Sequence, residues 1–339
     1  MSATRGPALL AVTGAAGFIG MHLVRGFEAR GARVLPLVRA VTDVSPAGSR
    51  VLDQVLADAS SAELRGVDVV VHSAAVRHRY GVDAATYRAS NVDLVERTLR
   101  AAAAAGARRF VLVSSVGVYG FPERLPVTEE HPYAPRTQYS ATKVEAEVRA
   151  RRVAREAGIE LCIVRPTIVY GPGDRGGMLD KMAAMIGAGT YRVVGSGDNV
   201  LHHTHVDDIV EGVWLASTRP EAANDHFILA GPETITLAAL SELVARALGP
   251  QLPRSRVPSV FARAVATVVD VAANRGLAFT SREPPINHEK LDVMTLPISF
   301  DSSKARKLLG FAPRVGYEEG VMRTLCGGWP ALARAGAGP

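Results

Sequence analysis

Residues 8–20, Ala-Leu-Leu-Ala-Val-Thr-Gly-Ala-Ala-Gly-Phe-Ile-Gly, decide the fold of this chain. They read as a buried β-strand that runs into a glycine-rich turn and then into a helix. The first two glycines let the backbone turn tightly and approach a bound group, and the third lets the helix pack close to the strand. Backbone N–H groups and the helix N-terminus then point at an anion above the turn. Although ordinary turns also carry glycines, the pattern predicts that the pyrophosphate of a dinucleotide is held by Gly14, Gly17, Phe18, Ile19 and Gly20.

The first half of the chain alternates between short β-branched runs and helical patterns. The predicted strands are Ala8–Thr13, Arg33–Val38, Val67–His72, Phe110–Ser114 and Leu161–Arg165, and the predicted helices are Gly17–Arg30, Asn91–Ala105 and Tyr139–Ala157. This alternation predicts an α/β fold, a Rossmann-type, doubly wound parallel sheet with helices on both faces. Pro36, inside the second strand, removes a ladder hydrogen bond and suggests a bulge. Asn91 suits the N-cap of its helix.

After Gly171 the pattern changes to loops, short strands and further helices. Met178–Ala188 and His205–Ser217 are helical, whereas Tyr191–Val194 and Phe227–Leu229 are strand-like. We therefore predict a dinucleotide-binding domain over residues 1–170 and a smaller, discontinuous, mainly substrate-binding domain over residues 171–339. The segment at about 200–230 is expected to return to the first domain.

The composition excludes several classes of protein. The chain has 339 residues, of which 47% are hydrophobic, enough for a large core. The net charge is +6, but the basic residues are dispersed, so a nucleic-acid interface is not predicted. With only Cys162 and Cys326, no disulfide framework is expected, which fits a reducing compartment and a cytoplasmic location. Charged residues interrupt the apolar run Val257–Leu277, and we predict no integral membrane segment.

Tyr139 and Lys143 stand four residues apart and share one face of a predicted helix. A tyrosine is a poor acid or base near neutrality because its ordinary pKa is about 10. A neighbouring cation favours the phenolate, so Lys143 is expected to lower the pKa of Tyr139 and to donate to ribose hydroxyls. A tyrosine and a lysine at this spacing often occur by chance on helices. Together with the glycine-rich turn, however, the pair indicates a catalytic site.

Two serines stand at the end of the predicted strand Phe110–Ser114: Ser114 is its last residue, and Ser115 follows it. Ligands of open parallel sheets bind beyond the carboxyl ends of the strands, so these hydroxyls face the same crevice as the phosphates. A serine there can hold a substrate carbonyl and stabilise a developing oxyanion. It can equally cap the next turn.

Together these motifs resemble the extended short-chain dehydrogenases/reductases, from about residue 8 to about residue 329. This group includes sugar-nucleotide epimerases, hydroxysteroid dehydrogenases and dihydroflavonol reductases. The resemblance is carried by Thr13–Gly20, Val70–Ala75, Ser114–Gly120, Tyr139–Lys143, Arg165-Pro166, Val169–Gly173, His205–Asp208 and Phe300–Phe311. It implies the fold and a nicotinamide cofactor, and it says much less about the substrate.

The resemblance also assigns roles by position. Ser115 and Tyr139 would be the catalytic pair, and Lys143 would complete the catalytic set and bind the ribose. Ser115 is chosen over Ser114 because the family's serine stands four residues before the tyrosine of the Val-Tyr-Gly motif. Further cofactor contacts are implied at Asp58 (adenine), Pro166 (nicotinamide), Ala74 and Ala75. Asn91 matches a scaffold asparagine of the family or is a simple helix cap.

The end of the second strand bears on the choice of cofactor. Relatives that use NAD carry an acidic residue there, whereas this chain has Val38 followed by Arg39. Without the acid nothing repels a 2′-phosphate, and Arg39 can pair with one. NADP(H) is therefore favoured, with NAD(H) the alternative if Arg39 stacks on adenine or faces water.

The substrate clues are mostly negative. Epimerases generally carry an asparagine and an arginine where this chain has Ile168 and Leu201. The exchange removes polar partners for a diphosphate and adds apolar lining, which favours a hydrophobic ketone or alcohol. The segments Val257–Ala273 and Arg282–Asn287 resemble the apolar cap of steroid- and flavonol-type relatives.

The run His202-His203-Thr204-His205-Val206-Asp207-Asp208 carries residue types that bind zinc. The family segment it matches begins a helix, which Asp207 or Asp208 can cap, and hydride transfer needs no metal. No metal site is predicted.

These observations predict an NADP(H)-dependent oxidoreductase that interconverts a carbonyl and a secondary alcohol on a small, largely hydrophobic molecule. The alternatives are a sugar-nucleotide epimerase or dehydratase with tightly bound NAD, and a non-catalytic protein that senses NADP. The resemblance further implies a homodimer that pairs through the helices Asn91–Ala105 and Tyr139–Ala157.

Overall fold

The computed structural model describes residues 9–57, 62–77, 81–249, 256–274 and 288–327. Over these ranges the strands are β1 (Leu9–Thr13), β2 (Arg33–Val38), β3 (Arg50–Val51), β4 (Val69–His72), β5 (Arg109–Val113), β6 (Glu160–Pro166), β7 (Ile168–Tyr170), β8 (Val193–Val194), β9 (Val200–Leu201), β10 (His203–His205), β11 (His226–Leu229), β12 (Ile235–Thr236) and β13 (Arg256–Val257). The helices are α1 (Phe18–Glu28), α2 (Leu52–Ala57), α3 (Ala84–Arg88), α4 (Leu94–Ala104), α5 (Gln138–Ala157), α6 (Met178–Gly187), α7 (Val206–Thr218), α8 (Leu237–Leu248), α9 (Ser259–Asn274), α10 (His288–Thr295), α11 (Ser303–Leu309) and α12 (Tyr317–Leu325).

The main sheet of the described chain has the strand order β3-β2-β1-β4-β5-β6-β11, and all neighbouring strands are parallel. The chain starts at β1, runs outward to β3 and then crosses back to β4, so the order reverses between β1 and β4. This confirms the predicted doubly wound α/β fold. Strand β11, from late in the chain, lies beside β6 in this sheet. The division into two domains at residue 170 stays a prediction.

The two faces of the sheet are covered because successive strand residues point to opposite sides. Leu10 and Val12 of β1 pack in a core with helices α1 and α7, whereas Ala11 packs on the other side with α4 and α5. The strands buried on both faces are largely apolar, as expected for a parallel sheet.

Pro36 is accommodated without the predicted bulge. The β1–β2 register runs unbroken, with Val12 opposite Pro36 and Thr13 opposite Leu37. The Leu37 carbonyl accepts a hydrogen bond from Ala15 on the β1 side, so the Pro36 nitrogen faces the other side. There β3 pairs only with Leu37 and Val38, and no ladder hydrogen bond is lost.

Beyond the main sheet, α6, α8 and α12 enclose a separate hydrophobic core. Three short two-stranded sheets, β7–β10, β9–β12 and β8–β13, lie outside the main sheet. The predicted apolar helix at 257–273 appears as α9, whereas Arg282–Asn287 lies outside the described residues. In the part of the chain that the structure describes, no helix has the length and apolarity needed to cross a bilayer.

Candidate active site

The glycine-rich turn after β1 is tightly closed against the segment after β4. Gly14 has φ +69°, and a Cβ there would lie 2.8 Å from the backbone nitrogen of Ala74. A Cβ on Gly20 would lie 2.0 Å from the Gly14 carbonyl oxygen. The Thr13 hydroxyl accepts a hydrogen bond from the Ala74 N–H (3.2 Å), and Ser73 Oγ donates to the Thr13 carbonyl (2.7 Å). Any side chain at 14 or 20 would therefore force this turn open.

The first turn of α1 is suited to an anion. Gly17 is the N-cap and offers no side chain to the first N–H groups of the helix, and no acidic residue lies in that turn. Such N–H groups, together with the helix dipole, favour a phosphate. The turn and the adjoining Ala74 thus fit the pyrophosphate of a dinucleotide.

Ser115, Tyr139 and Lys143 lie together beyond the carboxyl end of β5. Ser115 follows β5 and begins a short 3-10 turn, where its hydroxyl accepts from the Gly117 N–H (3.1 Å). Its side chain lies close enough to Tyr139 to lower the pKa of the phenol. Tyr139 lies in the first turn of α5, which starts at a capping box made by Thr137 and Ser140. Lys143, one turn on, is buried, and its Nζ lies 5.8 Å from the centre of the Tyr139 ring.

The pKa of Tyr139 is raised, which contradicts the expectation from Lys143. Burial raises it to about 12, while the Ser115 side chain and the positive charge of Arg77 oppose the rise. Lys143 Nζ donates instead to the Val113 carbonyl at 3.0 Å. Burial lowers the pKa of Lys143 to about 8, although the Glu147 carboxylate works against this. At neutral pH Tyr139 therefore keeps its proton and Lys143 is mostly charged.

A buried ion pair that the sequence reasoning missed lies directly beneath these residues. Glu147 and Arg165 are both almost fully buried, and their closest atoms are 2.6 Å apart. Glu147 also accepts from Ser114 Oγ (2.6 Å) and the Tyr133 hydroxyl (2.7 Å), and Arg165 donates to the hydroxyls of Tyr119 and Tyr133. The signal was available, because a lone arginine in an apolar central strand needs a buried partner.

This network separates the two serines. The Ser114 hydroxyl donates to Glu147, whereas the Ser115 side chain lies beside Tyr139. Glu147 lies four residues after Lys143 on the same face of α5, and Arg165 adjoins Pro166. One buried network therefore supports the strand end, the helix and the next strand on which the candidate residues stand.

Asn91 is not the N-cap that its position suggested. It lies within a π-helical turn, Ala89–Asp93, ahead of α4. Its Oδ1 accepts from the Val76 N–H (2.8 Å), and its Nδ2 donates to the Val76 carbonyl (3.1 Å) and to Thr142 Oγ1 (3.2 Å). Since Thr142 Oγ1 donates to the Tyr139 carbonyl at 2.8 Å, Asn91 fastens the segment after β4 to the first turn of α5.

The remaining predicted cofactor residues are placed as follows. Arg39 is exposed immediately after β2, and no described residue forms an ion pair with it. Pro166 is buried at the end of β6, and Ala75 follows Ala74 in the segment after β4. Asp58 lies outside the described residues.

Ile168 and Leu201 differ in their surroundings. Ile168 is 40% exposed on β7 and borders a narrow cavity that is also lined by Asp174, Met178, Leu179, His203 and Leu240. Leu201 is buried in the core formed by α6, α8 and α12. The structure thus gives apolar lining at Ile168 and core packing at Leu201.

The histidine run contributes packing and capping. Across the described ranges, no three residues among His, Cys, Asp and Glu are grouped so that they could hold a metal ion. His205 itself is the N-cap of α7, accepting from the Asp207 N–H at 3.3 Å. The expected cap by Asp207 or Asp208 is wrong, because Asp208 accepts instead from the Arg314 and Val315 N–H groups.

Comparison with known proteins bears on the class of this site. A sequence profile described as the NAD dependent epimerase/dehydratase family matches residues 10–230. The chain is 30% identical to a Stigmatella aurantiaca 4-hydroxy-2-methyl-3-oxo-4-farnesyl-3,4-dihydroquinoline-1-oxide ketoreductase, over 91% of this chain and 93% of the relative. It is 26% identical to the 3beta-hydroxysteroid-dehydrogenase/decarboxylase isoform 1 of Arabidopsis thaliana, over 69% of this chain and 56% of the plant protein. The chain thus spans about half the length of that relative.

Among solved structures, a similar one is DesIV, a dTDP-glucose 4,6-dehydratase from Streptomyces venezuelae with NAD and TYD bound. The two chains are 26% identical, with a TM-score of 0.73 and coverage of 94% of this chain and 96% of DesIV.

Proposed function

The chain belongs to the NAD dependent epimerase/dehydratase family, and on that basis we propose that it is an NADP(H)-dependent reductase of a largely hydrophobic ketone. The membership confirms the predicted resemblance to the extended short-chain dehydrogenases/reductases, which are NAD(P)-dependent enzymes. The observation that carries the proposal is the grouping of Ser115, Tyr139 and Lys143 at the carboxyl edge of the sheet, with Tyr139 protonated at neutral pH.

In the proposed mechanism the substrate carbonyl lies between the hydroxyls of Ser115 and Tyr139. When bound, the nicotinamide cofactor supplies the hydride that the carbonyl carbon takes up. Ser115 donates a hydrogen bond to the carbonyl oxygen, and Tyr139 delivers the proton that this oxygen needs to become a hydroxyl. Lys143 holds a positive charge beside Tyr139 that favours the phenolate left behind.

The cofactor would be held by the backbone of the glycine-rich turn and of Ala74. Two features support NADP(H) over NAD(H): Val38 replaces the acid that would repel a 2′-phosphate, and Arg39 is exposed next to it. The exposed Ile168 and the likeness to a ketoreductase of a farnesylated quinoline support a hydrophobic ketone. We further propose a homodimer paired through α4 and α5, which pack side by side along the surface.

Titration of the purified protein with NADPH, NADP, NADH and NAD tests the cofactor proposal. We expect the protein to bind NADPH at least about tenfold more tightly than NADH, because Arg39 pairs with the 2′-phosphate. Arg39→Gln should remove most of this difference, while Arg33→Gln, at the other end of β2, should keep it. Equal affinities in the wild type would contradict the assignment, and a panel of hydrophobic ketones with the preferred cofactor then tests the reaction itself.

A second candidate is a sugar-nucleotide epimerase or dehydratase, supported by the likeness to DesIV. Such an enzyme recycles a tightly held NAD and shows no net reduction. Protein that purifies with NAD bound, detected by absorbance and mass, would favour this candidate and contradict the role of Arg39.

The pKa values of the site predict how the rate depends on pH. We expect kcat/KM for ketone reduction to fall as the pH rises through about 8, because Lys143 loses its charge there. Tyr139, with a pKa of about 12, keeps its proton across this range. A pH–rate profile from 6 to 10 measures this, and a rate that stays level up to pH 10 would contradict the prediction.

A further inference from the structure

An ion pair joins two loops at the carboxyl edge of the sheet, next to Tyr139. Arg77 lies in the segment after β4, and its NH1 is 2.8 Å from Asp174 Oδ1 in the loop between β7 and α6. Arg77 NH2 donates to the Arg175 carbonyl at 3.2 Å. The guanidinium therefore makes two of its contacts with that loop.

Both sides of this bridge are held in place. The segment that carries Arg77 is fastened to the first turn of α5 through Asn91 and Val76. The opposite loop is tied to α1, because the His22 ring lies 2.9 Å from the Pro172 carbonyl oxygen. The Arg77 charge lies close enough to Tyr139 to lower the pKa of the phenol.

The two partners differ in exposure. The Asp174 side chain is 6% exposed, whereas that of Arg77 is 61% exposed. The carboxylate packs against Gly177, where a Cβ would lie 1.8 Å from Asp174 Oδ2, and it borders the cavity beside Ile168. Asp174 is thus a buried carboxylate paired with a guanidinium that lies close to Tyr139.

We propose that the Arg77–Asp174 pair is a specificity determinant that makes this site select uncharged carbonyl substrates over those that carry a carboxylate. An arginine recognises a carboxylate best through two parallel N–H groups, and here Asp174 and the Arg175 carbonyl take one N–H group each from NH1 and NH2. The fixed Asp174 carboxylate also repels a second anion. This inference rests on the proposed carbonyl reductase function and adds to it the charge class of the substrate.

The test compares substrates that differ only in charge: 3- and 4-acetylbenzoate and their methyl esters. Dissociation constants for the protein saturated with NADP, and kcat/KM with NADPH, are measured for each acid and its ester. We expect Asp174→Asn to raise the acid-to-ester preference at least about tenfold, because the isosteric amide frees the Arg77 charge. The gain should shrink at high salt.

Two further variants separate this charge effect from a structural one. Asp174→Asn/Arg77→Gln should show no gain, because the freed cation is gone. Asp53→Asn, which breaks the exposed Asp53–Arg97 pair between α2 and α4, should leave the preference unchanged. If Asp174→Asn does not fold, Arg77→Gln alone should lower the preference at least about tenfold, because it leaves the Asp174 carboxylate unpaired.

An unchanged preference in a folded Asp174→Asn protein, or an equal gain in the double variant, overturns the inference. Failure of the proposed function looks different: the wild type then reduces neither the esters nor any other ketone. The binding constants still report the charge preference in that case.

Discussion

Tyr139→Phe is expected to lower turnover by about 10³-fold, while the dissociation constant for NADPH changes by less than about threefold. The substitution removes the hydroxyl that would donate the proton and leaves the ring in its place beside Lys143. Ser115 keeps its hydrogen bond from Gly117, and the glycine-rich turn is not touched. Steady-state kinetics and fluorescence titration with NADPH measure the two effects separately.

Tyr191→Phe is the matched control. Its hydroxyl is hydrogen-bonded to Ser241 (2.8 Å) in the core of α6, α8 and α12, so the same atom is lost away from the catalytic residues. We expect this variant to keep its turnover within about twofold. If Tyr139→Phe retained more than about a tenth of the wild-type rate, Tyr139 would not be the proton donor.

The sequence predicts those features that depend on local patterns. The glycine-rich turn, the bounds of β2 and the strand–helix alternation follow from residues close together in the chain, and the structure agrees with them. Even in these segments, the rule that a proline inside a strand causes a bulge fails when the pairing with the neighbouring strand makes the bulge unnecessary. Pro36 needs no bulge, because the side of β2 that its nitrogen faces has no partner at that position.

Contacts between distant residues explain what the sequence did not predict. Asn91 reads as a cap, but its amide is used by Val76 and Thr142, which lie 15 and 51 residues away. Arg77 and Asp174 are 97 residues apart, and no local pattern pairs them. The raised pKa of Tyr139 has the same origin. The whole fold determines how deeply the phenol is buried, and the effect of burial on the pKa is larger than the effect of any neighbour on the helix.

Glu147 and Arg165 are such a distant pair, and Glu147→Gln is expected to lower the free energy of unfolding by about 3–5 kcal/mol. The amide keeps the shape of the side chain, but it leaves the Arg165 charge buried without its partner. Urea unfolding at neutral pH measures the loss. The exposed pair Arg246–Glu318 offers the control, because Glu318→Gln should change stability by less than about 1 kcal/mol.

The same carboxylate also affects Lys143, the proposed catalytic lysine, so its effect on stability can be measured separately from its effect on the reaction. Replacing both partners by methionine should restore part of the stability, since a buried ion pair contributes little beyond an apolar pair of similar volume, whereas the buried Ser114 and Tyr119 hydroxyls lose their partners. The pKa of Lys143 should nevertheless be lower than in the wild type in both variants, because both lack the Glu147 charge that opposes the effect of burial on this pKa. The fall in kcat/KM should therefore shift to below pH 8 in Glu147→Gln and in the double variant alike. A double variant that regained both the stability and the wild-type pH profile would show that Glu147 acts only through packing.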